Sequence, residues 1–167
     1  EANRLVRDGV VVVGFNAAGR GSSRPWDPRS TGRPDFNGPR DQDDLAAITR
    51  YVASKRWVDA SRLGFASVSY GLVAAAGCLS RHPYLKVGYL IDEEGPSDRF
   101  DAMLRAWTLA SIDAPDWPQR AADLFGVTLE DEAFWSTREP GRTIGKFHGS
   151  YLRLQAEFDH VQPPASA

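Results

Sequence analysis

The segment RLGFASVSYGLVAAAG, Arg62 to Gly77, admits few folds. It begins as a short β-prone run, RLGFA, and continues from Tyr70 to Leu79 as small and apolar residues all round. A helix of that kind packs closely along its length, and a sheet is the surface that accepts it. The join, Ser67-Val68-Ser69-Tyr70-Gly71, reads small-x-Ser-x-small. In a tight strand-to-helix turn the positions two away from the apex pass close to the backbone, so they must be small. Such a turn aims the apex hydroxyl into a cleft. It also sets the next N–H, here that of Tyr70, at a helix N-terminus, where it can stabilise an oxyanion. Ser69 has Ser67 and Gly71 as its flanks, whereas Ser67 would need Phe65, which is too bulky. The alternative is that both serines only cap a helix. The strand before them and the Ala-rich helix after them favour Ser69 as a nucleophile.

The rest of the chain reads as an alternation. Val10 to Phe15 is a continuous β-branched and apolar run, which predicts a strand buried on both faces. Gly19 to Arg40 is rich in Gly, Pro, Ser and Arg and predicts a long surface loop. Its arginines Arg20, Arg24, Arg29, Arg33 and Arg40 are expected on a solvated face rather than in an anion site. A helix opens at Asp41-Gln42-Asp43-Asp44 and ends near Trp57, with Leu45, Ile48 and Val52 at helical spacing. Lys86 to Ile91 and Tyr151 to Ala156 predict two more strands. Helical patches are expected at Arg99 to Leu109, Gln119 to Phe125 and Leu129 to Trp135. The segment from Asp92 to Ser150 is far too long for a simple crossover. The pattern predicts an α/β fold with a mainly parallel, doubly wound sheet. Its core is expected in 1–91 and 151–167, with a helical cap inserted at 92–150. Trp107, Trp117 and Trp135 fall in that insertion and are expected to pack its core rather than line a pocket.

Composition removes several classes. With 167 residues the chain can bury one core, and a formal net charge of -2 gives no electrostatic case for nucleic acid. No apolar run approaches the roughly 20 residues of a membrane span. The one cysteine, Cys78, excludes an internal disulfide and fits a reducing, cytoplasmic setting; it is expected to be a small buried residue. The stretch Gly14-Phe15-Asn16-Ala17-Ala18-Gly19-Arg20-Gly21 is nearly a P-loop, but Lys and Ser/Thr are missing after the second glycine and no helix pattern follows. A dinucleotide fingerprint has different glycine spacing. The carboxylate run Asp92-Glu93-Glu94 suggests a metal only weakly. Hydrolysis through a serine needs neither metal nor cofactor, and none is expected.

The stretch DQDDLAAITRYVASKRWVDASRLGFASVSYG resembles the approach to the nucleophile in the α/β-hydrolase superfamily, in particular its dienelactone-hydrolase-like and prolyl-oligopeptidase-like esterases and peptidases. Ser67 stands where that family most often has glycine. The early stretch is similar to the family's D-x-R-G-x-G-x-S strand end. Gly19, Gly21 and Ser23 match it, with Asn16 for Asp and Ala18 for Arg. The order in that family is nucleophile, acid, histidine. YLRLQAEFDHVQPP resembles its acid-bearing segment, so the resemblance implies Asp159 as the acid, with Asp92 as the alternative and Asp98 a weaker one.

The base is harder to place. Of three histidines, His82 and His148 are expected at the wrong end of the sheet, and His160 adjoins the acid itself. Neighbouring side chains on a loop seldom form the Asp–His contact that holds the imidazole in its working tautomer. The chain opens at Glu1 and stops at QPPASA, and we expect a fragment lacking both ends, without its catalytic histidine and nearly inactive alone. The function expected of the whole is hydrolysis of a small-molecule ester, less readily an amide or peptide, through an acyl-enzyme on Ser69. The alternatives are acyl transfer from the same serine, or a non-catalytic binding member of the fold.

Overall fold

The structure, a computed structural model, describes residues 2–24, 27–100 and 117–157. In chain order the elements are α1 (Ala2–Arg7), β1 (Ser23–Arg24), β2 (Asp27–Pro28), α2 (Pro39–Ala53), β3 (Leu63–Val68), α3 (Gly71–Arg81), β4 (Val87–Glu93), α4 (Trp117–Phe125), α5 (Glu132–Trp135), α6 (Pro140–Thr143), a 3-10 turn (Ile144–Lys146) and β5 (Ser150–Leu154). Strands β3, β4 and β5 form a sheet in that order, parallel throughout. β1 and β2 form a short antiparallel ribbon. No helix among the described residues is long and apolar enough to cross a membrane.

Register decides which side chains share a face. Phe65 pairs with Leu90 and Ser67 with Asp92, while Leu90 pairs with Tyr151 and Asp92 with Arg153. Side chains alternate along a strand, so these six lie on one face. Helix α3 covers that face. Leu72, Ala75, Ala76 and Leu79 of α3 form the main core with Val87 and Leu90, and Phe65, Leu85, Ile144 and Phe147 pack against it. The last part of the 92–150 segment is therefore built onto the sheet's own core.

Helix α2 packs on α3 rather than on the sheet. Pro39 occupies its first turn, where a missing N–H has no partner to lose. A Cβ built on Gly77 would lie 2.2 Å from the Gln42 amide, so a larger residue there would displace the buried Gln42 side chain that lies between the two helices. An ion pair from Arg81 to Asp43 at 2.9 Å also joins them. Both groups are about half exposed, so that pair contributes less than about 1 kcal/mol, and the close packing decides.

Two expectations are corrected. Val10 to Phe15 forms no strand; Val10 to Val13 and Phe15 are each at least 41% exposed. A β-branched run favours a strand only where another strand completes its hydrogen bonds, and no described residue pairs with this one. Among the described residues the sheet accordingly has three strands rather than four. Nor is it doubly wound among the described residues. The face opposite α3 is open, with Val68 62%, Leu152 52% and Leu154 48% exposed. The five loop arginines are exposed, as expected.

Cys78 lies at 0% exposure in the middle of α3, and burial pushes its thiol up to about 12. The thiolate is the reactive form. The folded protein is therefore expected to resist a thiol reagent at neutral pH and to react stoichiometrically in denaturant. Time-resolved labelling with a chromogenic disulfide measures this; fast labelling without denaturant contradicts the packing of α3.

Candidate active site

The turn between β3 and α3 holds a strained backbone position, as does Glu94 after β4 with φ of 56°. Ser69 has φ of 52°, the left-handed region that a non-glycine residue rarely adopts. It follows β3 directly, and α3 begins two residues later. Its N–H donates to the Glu93 carbonyl at the end of β4, at 2.7 Å, and its own carbonyl accepts the Leu72 N–H at 3.1 Å. Strain of this kind costs about 1–3 kcal/mol and persists only where the surroundings over-determine it.

The flanking residues are arranged less tightly than their pattern suggests. The Ser67 side chain is buried beneath the turn and donates to the Ile91 carbonyl at 3.3 Å. A Cβ on Gly71 would sit 3.8 Å from Ser67 Cβ, an ordinary contact. Smallness is required of residues 67 and 71 jointly, with room left for a methyl group at 71.

Tyr70 anchors the next step of the turn. Its ring meets Phe36 edge-on at 5.1 Å between centroids. It packs on a second buried cluster of Phe36, Ala121 and Trp135, with Phe125, Val127, Leu129 and Phe134 around it. Trp135 belongs to this core and donates its indole N–H to the Thr128 carbonyl at 2.7 Å. Trp107 and the Trp117 side chain lie outside the described residues. Burial raises the Tyr70 hydroxyl above its ordinary range, so the side chain stays protonated.

The loop ahead of α2 holds the turn from the other side. Phe36 and Asn37 have φ of 54° and 57°. The Asn37 amide donates to the Tyr70 carbonyl at 2.6 Å. Its backbone N–H donates to Asp41 Oδ2 at 2.9 Å, and its carbonyl accepts from Gln42 Nε2 at 3.1 Å. Asp41 and Gln42 are fully buried. Burial pushes the Asp41 carboxyl above the usual carboxylate range, against the opposing pull of the Asn37 N–H. The guanidinium of Arg138 closes this hub, donating to the Asp35 carbonyl at 2.9 Å and carboxylate at 3.1 Å.

The expectation of a surface loop over 19–40 misses these buried residues. Phe-Asn-Gly at 36–38 was a usable signal, because Asn and Gly are the residues that accept a left-handed backbone.

Asp92 is completely buried on the α3 face. Its Oδ1 accepts the Gly95 N–H at 3.0 Å, and its Oδ2 accepts the Tyr151 hydroxyl at 2.8 Å and faces Arg153 Nη1 at 3.3 Å. Asp159 and His160 lie outside the described residues. His82 caps the C-terminal end of α3, where Nε2 is 2.7 Å from Asp43. Eleven residues of helix separate it from the Ser69 end, a rise of about 16 Å. His148 is exposed and precedes β5, at the sheet edge opposite Ser69.

No protein-family model matches the chain, and no curated protein matches it. Among solved structures it is similar to acetyl xylan esterase 1 from Thermoanaerobacterium sp. JW/SL YS485. The match has a TM-score of 0.55 and 19% identity, and covers 82% of this chain and 47% of that one. The likeness is one of fold, a mixed α/β arrangement around a three-stranded parallel sheet. This chain spans about half the length of that esterase. The three parallel strands end at a common edge, where binding sites of open α/β sheets lie. Ser69 is on that edge, and β5 delivers the chain to it at Leu154.

Proposed function

We propose that Ser69 is the nucleophile of a serine hydrolase acting on a carboxylic ester. The observation that carries this reading is the left-handed Ser69 at the end of a parallel strand, one residue before a helix N-terminus. The esterase likeness supports an ester over an amide. In this mechanism a base takes the Ser69 hydroxyl proton as Oγ bonds to the carbonyl carbon. The Tyr70 N–H stabilises the resulting oxyanion, whose collapse expels the alcohol. Water then releases the acid from the acyl-serine. Asp159 orients the base, for β5 leads the chain to the Ser69 edge just ahead of it. Asp92 is the weaker choice, because both of its oxygens are engaged by Gly95, Tyr151 and Arg153. The 92–150 segment acts as a cap whose aromatic core, through Tyr70 and Phe36, braces the nucleophile turn.

Neither described histidine reaches Ser69. His160 lies outside the described residues, and on the reading that it is not the base the chain is expected to acylate and deacylate slowly. This suits a trapping experiment with p-nitrophenyl acetate, quenched and read by peptide mass spectrometry. Acetyl is expected on Ser69, absent after Ser69→Ala and retained after Ser67→Ala. Acetyl on lysines alone, or on Ser67, contradicts the assignment. Adding a primary alcohol and analysing the products separates hydrolysis from acyl transfer.

A further inference from the structure

The peptide that matters for the oxyanion, Ser69 to Tyr70, is clamped from both sides. Before it, the Ser69 N–H is tied to Glu93 of β4 at 2.7 Å. After it, the Tyr70 carbonyl is tied to the Asn37 side chain at 2.6 Å. Without the second tie, the left-handed Ser69 could relax towards the ordinary φ region and carry the Tyr70 N–H with it. Asn37 can bear this load because it is itself fixed. Its N–H and carbonyl bind Asp41 and Gln42, and Gln42 is tied in turn to the Thr137 carbonyl at 2.8 Å.

We infer that Asn37 is a positioning residue for acylation at Ser69, holding the oxyanion-binding peptide in place from the loop ahead of α2. This rests on Ser69 being the nucleophile. A misplacement of about 1 Å at a reacting centre lowers rates about 100-fold.

The test measures labelling of Ser69 by a fluorophosphonate over a range of probe concentrations. Asn37→Asp keeps the shape and the tolerance for positive φ but turns the donor into an acceptor facing the Tyr70 carbonyl. Asn37→Gly keeps the backbone freedom and deletes the side chain. For both, the maximal labelling rate is expected to fall about 10- to 100-fold with the half-saturating concentration unchanged. Protection of Cys78 from a thiol reagent, which reports the packing of α3, is expected to stay intact. Parent-like rates in both variants with Cys78 protected overturn the inference. Slow labelling in both that comes with exposed Cys78 overturns it too, since the role is then structural. If the parent protein labels elsewhere than Ser69, the hydrolase reading fails, and the role of Asn37 with it.

Discussion

Glu139→Ala is expected to lower the free energy of unfolding by about 3 kcal/mol. Glu139 and Arg99 are almost wholly buried, and they meet at 2.6 Å through Nε and Oε1. A second bond joins Arg99 Nη2 to Oε2 at 3.2 Å, giving the bidentate geometry that makes Arg–carboxylate pairs strong. Arg99 also donates to the Leu129 carbonyl at 2.7 Å and to Glu132 at 2.6 Å. The pair ties the segment after β4 to the loop entering α6. Removing the carboxylate leaves a buried guanidinium with Glu132 as its remaining anionic partner, and Glu132 is 59% exposed. Natural domains are stable by only about 5–15 kcal/mol, so this loss is large. The double change Arg99→Met with Glu139→Leu removes both charges and is expected to recover most of it. Urea unfolding followed by tryptophan fluorescence measures both. A single variant within 0.5 kcal/mol of the parent, on the scale of an ordinary surface change, contradicts the buried pair.

Much of the sheet side was legible in the sequence. β3, α3, β4 and β5 fall within two residues of their expected bounds, because each carries a run of apolar or small residues that fits one period only. The Ser69 turn was legible for a related reason. Its pattern reflects close backbone passage, which acts over a few residues. What escaped depends on distant partners. Val10 to Phe15 has strand composition but no strand to join among the described residues. Asp41 and Gln42 look like helix-start polar residues, yet they are buried because Asn37, Thr137 and Gly77 surround them. The Arg99–Glu139 pair bridges forty residues and leaves no local trace. Phe36 sits in a loop whose arginines and prolines suggest solvent, while its ring anchors the second core.

The second large effect concerns Ser69 directly. Removing one member of a serine triad lowers the rate by about 10⁴- to 10⁶-fold. Neither described histidine can serve as base, since His82 sits about 16 Å away along α3 and His148 at the opposite sheet edge. His160 lies outside the described residues; on the reading that it is not the base either, the hydroxyl is expected to react through the turn and the oxyanion donor alone, which leave a residual acceleration of about 10³- to 10⁴-fold over water. Ser69→Ala removes the oxygen that accepts the acyl or phosphonyl group, so covalent labelling at position 69 is expected to vanish.

The decisive measurement is the rate and the position of fluorophosphonate labelling on the 167-residue chain. The expected result is a single phosphonylated residue, Ser69, formed at least 10³-fold more slowly than in a competent serine esterase and absent in Ser69→Ala. Labelling of a different residue, or none at Ser69 after prolonged exposure, contradicts the nucleophile assignment. Labelling of Ser69 at the full rate of a competent enzyme contradicts the expectation that none of the three histidines serves Ser69 as base.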